Sequence, residues 1–479
     1  MDHFAQMAAR QTEALDRARL HAASFLAGLS RRAIAPALDA DALRTRFGGP
    51  LPAEPSDERR VIDELVDCVD GGLLASSAAR FFGWVIGGAL PVAIAAEWLT
   101  AAWDQNAAAF ALSPAAAVAE EVCGAWLKEL LGLPAEASYA FVTGCQMAHT
   151  TALAAARHQL LADRGIDVET AGLAGGPAFR VLTGEHRHES IIRAVRMLGF
   201  GTDAVRLLPC ETDGALSNEA LAEALNVDTG QPTIVCLQAG DLNTGAFDDF
   251  ARACALAHAR RAWVHVDGAF GLWAATSNRF RHLLRGVEQA DSWATDGHKW
   301  LNLPFDSGFV FVADPRPHRA AFGQATSYAV LVEGTRRQID WNPEWSRRAR
   351  AFAAYATIRT LGRSGIAAMI ERCCDVAAAL VDGLADMQGV EVLARPRINQ
   401  GLVRFLGDDA ATDAVIEAAR DSGDTWFGGT TWRGRRAMRI SVCNWRTTQD
   451  DVAPTLDAIS RALASVRQER GAEMQRLPQ

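Results

Sequence analysis

Between residues 139 and 312 the chain returns seven times to a short apolar run, at 139–143, 180–183, 204–208, 233–238, 262–267, 291–294 and 308–312. Each run suits a strand of ordinary length and is too short for a buried helix. Most are apolar along their whole length instead of alternating, so they are expected to be covered on both faces. Helical or loop segments lie between most of them. That order predicts an α/β domain with one large, mostly parallel seven-stranded sheet.

The flanking segments read differently. Residues 4–29 and 58–74 mix polar and apolar positions at helical spacing, with the linker Gly48-Gly-Pro-Leu-Pro-Ala-Glu-Pro55 between them. This helical arm is expected to wrap a partner subunit; a cap on the same subunit is the competing reading. Ser113-Pro114 marks an N-cap and first helical position, and that helix should run to Leu131 before Gly132. A long Ala-rich helix is expected over 345–385. Strands near 390–393, 401–406 and 437–442 then predict a small α+β domain. The expected division is 1–95 for the arm, 96–365 for the large domain and 366–479 for the small one.

Composition narrows the function. A net charge of −9 gives no footprint for nucleic acid or an anionic membrane. The most apolar window, 81–96, is too short for a membrane span and is interrupted by Gly83, Gly87, Gly88 and Pro91. The first residues lack a basic stretch followed by an apolar core, so no signal peptide is expected. The nine cysteines are odd in number and scattered without metal-ligand spacing. They read as reduced, mostly buried thiols of a cytoplasmic protein, with no metal site.

The fifth run ends in His265-Val-Asp-Gly-Ala-Phe270, and the sixth leads into Ser292-Trp-Ala-Thr-Asp-Gly-His-Lys-Trp300. An α/β sheet presents its sites at the carboxyl ends of its strands, so Asp267 and Lys299 are expected to meet there. An acid and a lysine are what pyridoxal 5'-phosphate (PLP) requires. The lysine holds the aldehyde as a Schiff base, and the acid keeps the pyridine nitrogen protonated. Gly268 and Ala269 would let a flat ring lie close to the backbone. In isolation Asp267 would be read as a strand-end cap. The segment Tyr139-Ala-Phe-Val-Thr-Gly-Cys-Gln-Met-Ala-His149 reads as strand, glycine turn and helix, with the amides of Gly144, Cys145 and Gln146 directed at a phosphate. His188, in Glu185-His-Arg-His-Glu-Ser190, is the expected ring over the cofactor, with His186 or a plain polar loop as competing readings. His298 is either a phosphate or substrate contact or an ordinary hydrogen-bonded histidine. Arg336, Arg337, Arg347, Arg348 and Arg350, and the run Arg433 to Arg439, could bind a carboxylate, but for most of them a solvated face or interface ion pairs is the expected reading; none is assigned to catalysis.

With these residues in place the chain resembles the group II PLP-dependent amino-acid decarboxylases, over roughly residues 75–450. The resemblance implies PLP fold type I (aspartate-aminotransferase-like) and a homodimer with its active site at the interface. By position, Lys299 resembles the Schiff-base lysine, Asp267 the pyridine-nitrogen partner, Ala269 the small residue under the ring and His188 the stacked histidine. Asp296 falls where the family has Asn or Asp near the phosphate. Ala79-Arg-Phe-Phe-Gly83 with Pro91, and Met438-Arg-Ile-Ser-Val-Cys-Asn444, are supporting matches. Tyr328, in Gln324-Ala-Thr-Ser-Tyr-Ala-Val330, matches the loop tyrosine that returns a proton to carbon after CO2 leaves. Phe81 and Trp84 are expected at the side-chain pocket by the same analogy.

The chain also departs from the family. The phosphate turn has Cys145, Gln146 and Met147 where Ser or Thr follows the glycine in relatives. The usual Gly-Thr-Thr is Gly240-Asp-Leu-Asn-Thr-Gly245, leaving Asn243 and Thr244 both open as the ring-hydroxyl contact. The expected activity is decarboxylation of an L-amino acid to its amine. The alternatives are another outcome on the same cofactor (aldehyde synthase, aldolase-like lyase or transaminase) and a PLP-binding protein without turnover.

Overall fold

The computed structural model describes residues 4, 7, 8, 10–324 and 332–476. Tyr328 therefore lies outside the described residues. A two-residue strand, β1 (Phe81–Phe82), comes first. The seven apolar runs follow as β2 (Ser138–Val142), β3 (Arg180–Gly184), β4 (Val205–Leu208), β5 (Thr233–Gln238), β6 (Trp263–Asp267), β7 (Ser292–Asp296) and β8 (Gly308–Val312). They form one sheet in the order β2-β8-β7-β6-β5-β3-β4. Strands β7 through β4 pair in parallel, while β8 runs antiparallel to both its neighbours, β2 and β7. Because β8 reverses twice, β2 points the same way as β7. The carboxyl ends of β2, β3, β5, β6 and β7 thus share one edge with the start of β8.

Both faces of this sheet are covered, as the unbroken apolar runs require. The helix Cys145–Ala162 packs on one face through Ala148, Ala152, Ala155 and Ala156, whose small side chains let it lie close. The other face joins the largest core, which includes the fully buried Trp273, Trp293 and Trp300. Each such side chain contributes on the order of 2–3 kcal/mol of burial. Trp273 also donates from Nε1 to the Asp296 carbonyl at 3.1 Å, which ties the end of β7 to the core.

The helix Pro114–Leu131 ends at Gly132, in the left-handed region at φ 69, as the sequence predicts. Ser113, however, makes no cap bond; its hydroxyl donates to Gln105 Oε1 at 3.2 Å. The long helix spans Ala351–Ala385, six residues shorter at its start than expected, and bends at Gly362. The segment before it is irregular because its arginines are drawn inward. Arg347 is buried against Glu120, and Arg350 pairs with Asp306 and Glu344. These arginines are structural ion pairs, not a solvated face.

The small domain carries β9 (Val390–Ala394), β10 (Gln400–Phe405), β11 (Trp426–Trp432) and β12 (Arg435–Ser441). Its sheet order is β1-β11-β12-β10-β9, so the segment preceding the large domain contributes an edge strand. Strand β11 escapes the sequence reading because Gly428-Gly-Thr-Thr431 resembles a turn. In the arm, Asp39 and Asp57 cap the helices Ala40–Phe47 and Glu58–Val69. Leu29, Ile34, Ala75 and Ala78 pack with Phe81 and Trp426, so the base of the arm rests on its own small domain. No helix among the described residues is long and apolar enough to cross a membrane.

Candidate active site

The shared edge collects the chemistry. Asp267 ends β6, Asp296 ends β7, Gly144 follows β2 and Gly308 opens β8. The backbones crowd here: a Cβ on Gly308 would come 2.4 Å from the Gly144 Cα. A Cβ on Gly144 itself would meet His298 Cε1 at 2.9 Å and Asp296 Oδ1 at 3.2 Å. Glycine is needed at 144 for that close approach.

Lys299 is one of only two lysines in the chain, the other being Lys128. Its Nζ lies 3.1 Å from Asp296 Oδ2. The sequence brings Lys299 and Asp267 to one pocket, but the direct ion pair belongs to Asp296. Burial disfavours the ammonium, yet Asp296, with Asp267 further off, overcomes it and holds the lysine up at about 12. Burial likewise opposes ionisation of both aspartates. For Asp267 it is outweighed by His149, His188 and Lys299, for Asp296 by Lys299 and His298, and both carboxyls sit below their usual range. Ala269 bridges the pair: its amide donates to Asp267 Oδ1 at 3.1 Å and its carbonyl accepts from the Asp296 amide at 2.9 Å.

The helix after Gly144 is positioned as expected, but its amides are partly used. Cys145 N–H donates to Asp296 Oδ1 at 2.7 Å, which corrects the expectation that it faces a phosphate. A buried carboxylate needs donors, and the helix start is the nearest source. The amides of Met147 and Ala148 close on the Gly144 carbonyl at 2.9 Å. Gln146 N–H is then the amide of the first turn without a partner among the described residues; its side chain donates to the Ser190 carbonyl at 3.3 Å. His188 caps the helix Glu189–Met197, its Nδ1 accepting from the Ser190 amide at 3.2 Å. His298 accepts from the Ser307 amide at 3.1 Å and lies 3.4 Å from Asp296 Oδ1.

Asn243 and Thr244 both have partners in the fold. Asn243 bonds Thr430 in β11 at 2.9 Å, and the Thr244 hydroxyl donates to the Asp213 carbonyl at 2.6 Å. These bonds engage the Asn243 carbonyl oxygen and the Thr244 hydroxyl with groups other than the strand edge. Gln238 instead ends β5 in register with Asp267, and registered neighbours share a face. It is half-buried beside the aspartate. The sequence reading missed it because only strand register places it there. Phe81 is buried and stacks on Trp426 at 4.9 Å, so it belongs to the packing of the arm rather than a pocket. Trp84 is half exposed, and with Val85 it holds positive φ values of 51 and 59. The fold also groups Cys145 with His149 and Asp267, and Glu185 with His186 and Cys210, neither of which shows as metal-ligand spacing in the sequence.

These donors fit PLP. A half-buried amine can hold the aldehyde, an ionised carboxylate suits the pyridinium, and a helix start bearing a free amide suits the phosphate. His149 Nε2, buried with no hydrogen-bond partner, points to further polar demand in the same pocket.

Comparison with known proteins agrees. Residues 42–406 match the pyridoxal-dependent decarboxylase conserved domain. The chain is 31% identical to the L-2,4-diaminobutyrate decarboxylase of Rhizobium meliloti (strain 1021), over 77% of this chain and 74% of that protein. It is 26% identical to the aromatic-L-amino-acid decarboxylase of Bacillus atrophaeus, over 91% and 92%. The structure of Oryza sativa TDC with PLP and tryptamine shares the fold, with a TM-score of 0.90, 22% identity and coverage of 96% of this chain and 98% of that one. The sheet, its site edge and the family match have one meaning: the chain belongs to the pyridoxal-dependent decarboxylases, enzymes of PLP fold type I that act as carboxy-lyases.

Proposed function

We propose that this enzyme converts an L-amino acid to its amine and CO2, with Lys299 holding the cofactor aldehyde and Asp267 facing the pyridine nitrogen. When bound, PLP supplies an electron sink for the carbanion left by CO2. The observation that carries the reading is the charge arrangement at the strand edge, where one of two lysines in the chain is half-buried with its Nζ 3.1 Å from Asp296 and with Asp267 at the end of the neighbouring strand. Asp296 keeps Lys299 charged until the cofactor arrives and orders the helix start at Cys145. Gln146 offers its amide to the phosphate, and Gly144 and Ala269 leave room for the ring. His188 holds the ring plane, Gln238 reaches the ring hydroxyl, and His298 stands at the phosphate side. Tyr328 returns the proton to carbon.

The active form is a homodimer. Leu99, Trp103, Val118 and Tyr355 line an exposed apolar cleft of about 800 Å³, a surface that favours a second copy. Trp103→Glu should then yield monomers in sedimentation velocity. All nine cysteines are unpaired, which supports a reducing cytoplasmic setting. The activity is tested by assaying CO2, amine, aldehyde and peroxide over the twenty standard amino acids and 2,4-diaminobutyrate. CO2 with equimolar amine supports the proposal; aldehyde with peroxide, or turnover without CO2, overturns it.

A further inference from the structure

Behind Asp267 the structure holds a continuous file of buried polar groups that the reaction does not otherwise use. Trp263, His265 and Asp267 occupy alternate positions of β6 and so face the same side. Ser292 of β7 is in register with His265. Trp263 Nε1 donates to Ser292 Oγ at 2.9 Å, and Ser292 Oγ lies 2.9 Å from His265 Nδ1. His265 Nε2 lies 2.9 Å from His149 Nδ1, and His149 Nε2 lies 3.6 Å from Asp267 Oδ2. His149, His265 and Ser292 are almost fully buried, and His149 Nε2 has no closer partner.

Donor chemistry gives this file a direction. An indole N–H only donates, so Ser292 Oγ must accept from Trp263. The buried hydroxyl proton then has His265 Nδ1 as its acceptor. That leaves the His265 proton on Nε2, where it donates to His149 Nδ1. The proton of His149 must in turn sit on Nε2, facing the carboxylate. Burial pushes both imidazoles down, His265 to about 3, which favours the neutral rings, each with one proton to place. Asp267, Asp296, His188 and Lys299 are the other charged or titratable groups acting on His149.

We propose that Trp263, Ser292, His265 and His149 are positioning residues forming a one-way hydrogen-bond chain, which fixes His149 as the Nε2–H tautomer and aims a donor at Asp267 Oδ2. The chain keeps the carboxylate ionised and oriented for the ring nitrogen. Its consequence for the cofactor rests on the reading of Asp267 given above; the tautomers do not.

The test is long-range ¹H–¹⁵N NMR of the histidines in the apo protein, assigned with His149→Gln and His265→Gln. Both residues should be neutral with the proton on Nε2. Ser292→Ala and the smaller aromatic Trp263→Phe each remove one directing group and should give a tautomer mixture at His265 and His149. Ser292→Thr should restore the single form. The dissociation constant for PLP, read from its visible absorbance, should rise about tenfold or more in Ser292→Ala and recover in Ser292→Thr, the scale on which partners behind a ligand act. An Nδ1–H or doubly protonated His149 in the parent protein overturns the chain, as does a Ser292→Ala protein that melts normally with unchanged tautomers. Asp267→Asn separates the two ideas. If that variant binds PLP with an unaltered absorbance-versus-pH profile, the assignment of Asp267 fails while the tautomer result stands on its own.

Discussion

Replacing Asp296 by Asn removes the carboxylate 3.1 Å from Lys299 Nζ while keeping its shape. At an effective dielectric of ~20, a charge pair at that separation is worth about 5 kcal/mol, or about four pH units of lysine affinity for its proton. Lys299 stands at about 12 with the pair intact. Its midpoint in the variant should fall to about 8–10, the upper end allowing for the remaining field of Asp267. With only two lysines, ¹³C-lysine labelling of the apo protein gives two side-chain signals, and Lys299→Arg identifies the one of interest. In the parent that signal should not move up to the ordinary lysine value of 10.5; in the variant it should titrate well below it. The linkage follows in sign. A lysine raised when folded adds stability that is fully present below 10.5 and is lost as pH rises through about 12. Asp296, held low when folded, adds stability present above its ordinary 3.8 and lost as pH falls through its lowered midpoint. The variant should therefore be less stable at neutral pH by about 2 kcal/mol or more in urea titrations, with a shallower acid limb. A variant whose lysine still does not titrate below 10.5 would refute Asp296 as the group that holds its charge.

Other perturbations probe the scaffold around this pair. Gly144→Ala places a methyl 2.9 Å from His298 Cε1 and should weaken PLP binding about tenfold in absorbance titrations, with a loss of about 1–3 kcal/mol in stability. At Gly87 a Cβ would come 2.1 Å from the Lys299 carbonyl, a backbone atom that cannot step aside. Gly87→Ala should lower the melting temperature by several degrees; an unchanged melt would show that the loop yields. Arg347→Met leaves Glu120 buried without its guanidinium and strips a donor from the carbonyls of Ala107 and Phe141. A cost of about 3–5 kcal/mol is expected by chemical denaturation, partly recovered in the double variant with Glu120→Gln.

The sequence by itself determined the sheet. Seven strands, β2 to β8, were legible because all but the edge strand β4 are buried on both faces, and such strands must be apolar throughout. It also singled out Asp267 and Lys299 as candidates, since the motifs around them carry the residue types that the proposed chemistry demands. It did not reveal β11, whose paired glycines read as a turn; in the sheet Arg436 from β12 packs across Gly429. The two-residue β1 is too short to leave a pattern. The finer site was likewise decided in three dimensions. Gln238 joins Asp267 through strand register, Asn243 bonds Thr430 of the small sheet, Thr244 bonds the Asp213 carbonyl, and Asp296 takes both Lys299 and the Cys145 amide. His149 meets His265 only because one turn of an Ala-lined helix lies against β6. Periodicity reports which residues avoid water. Which buried polar groups satisfy one another depends on distances across strands and helices far apart in the chain, and only tertiary packing sets those.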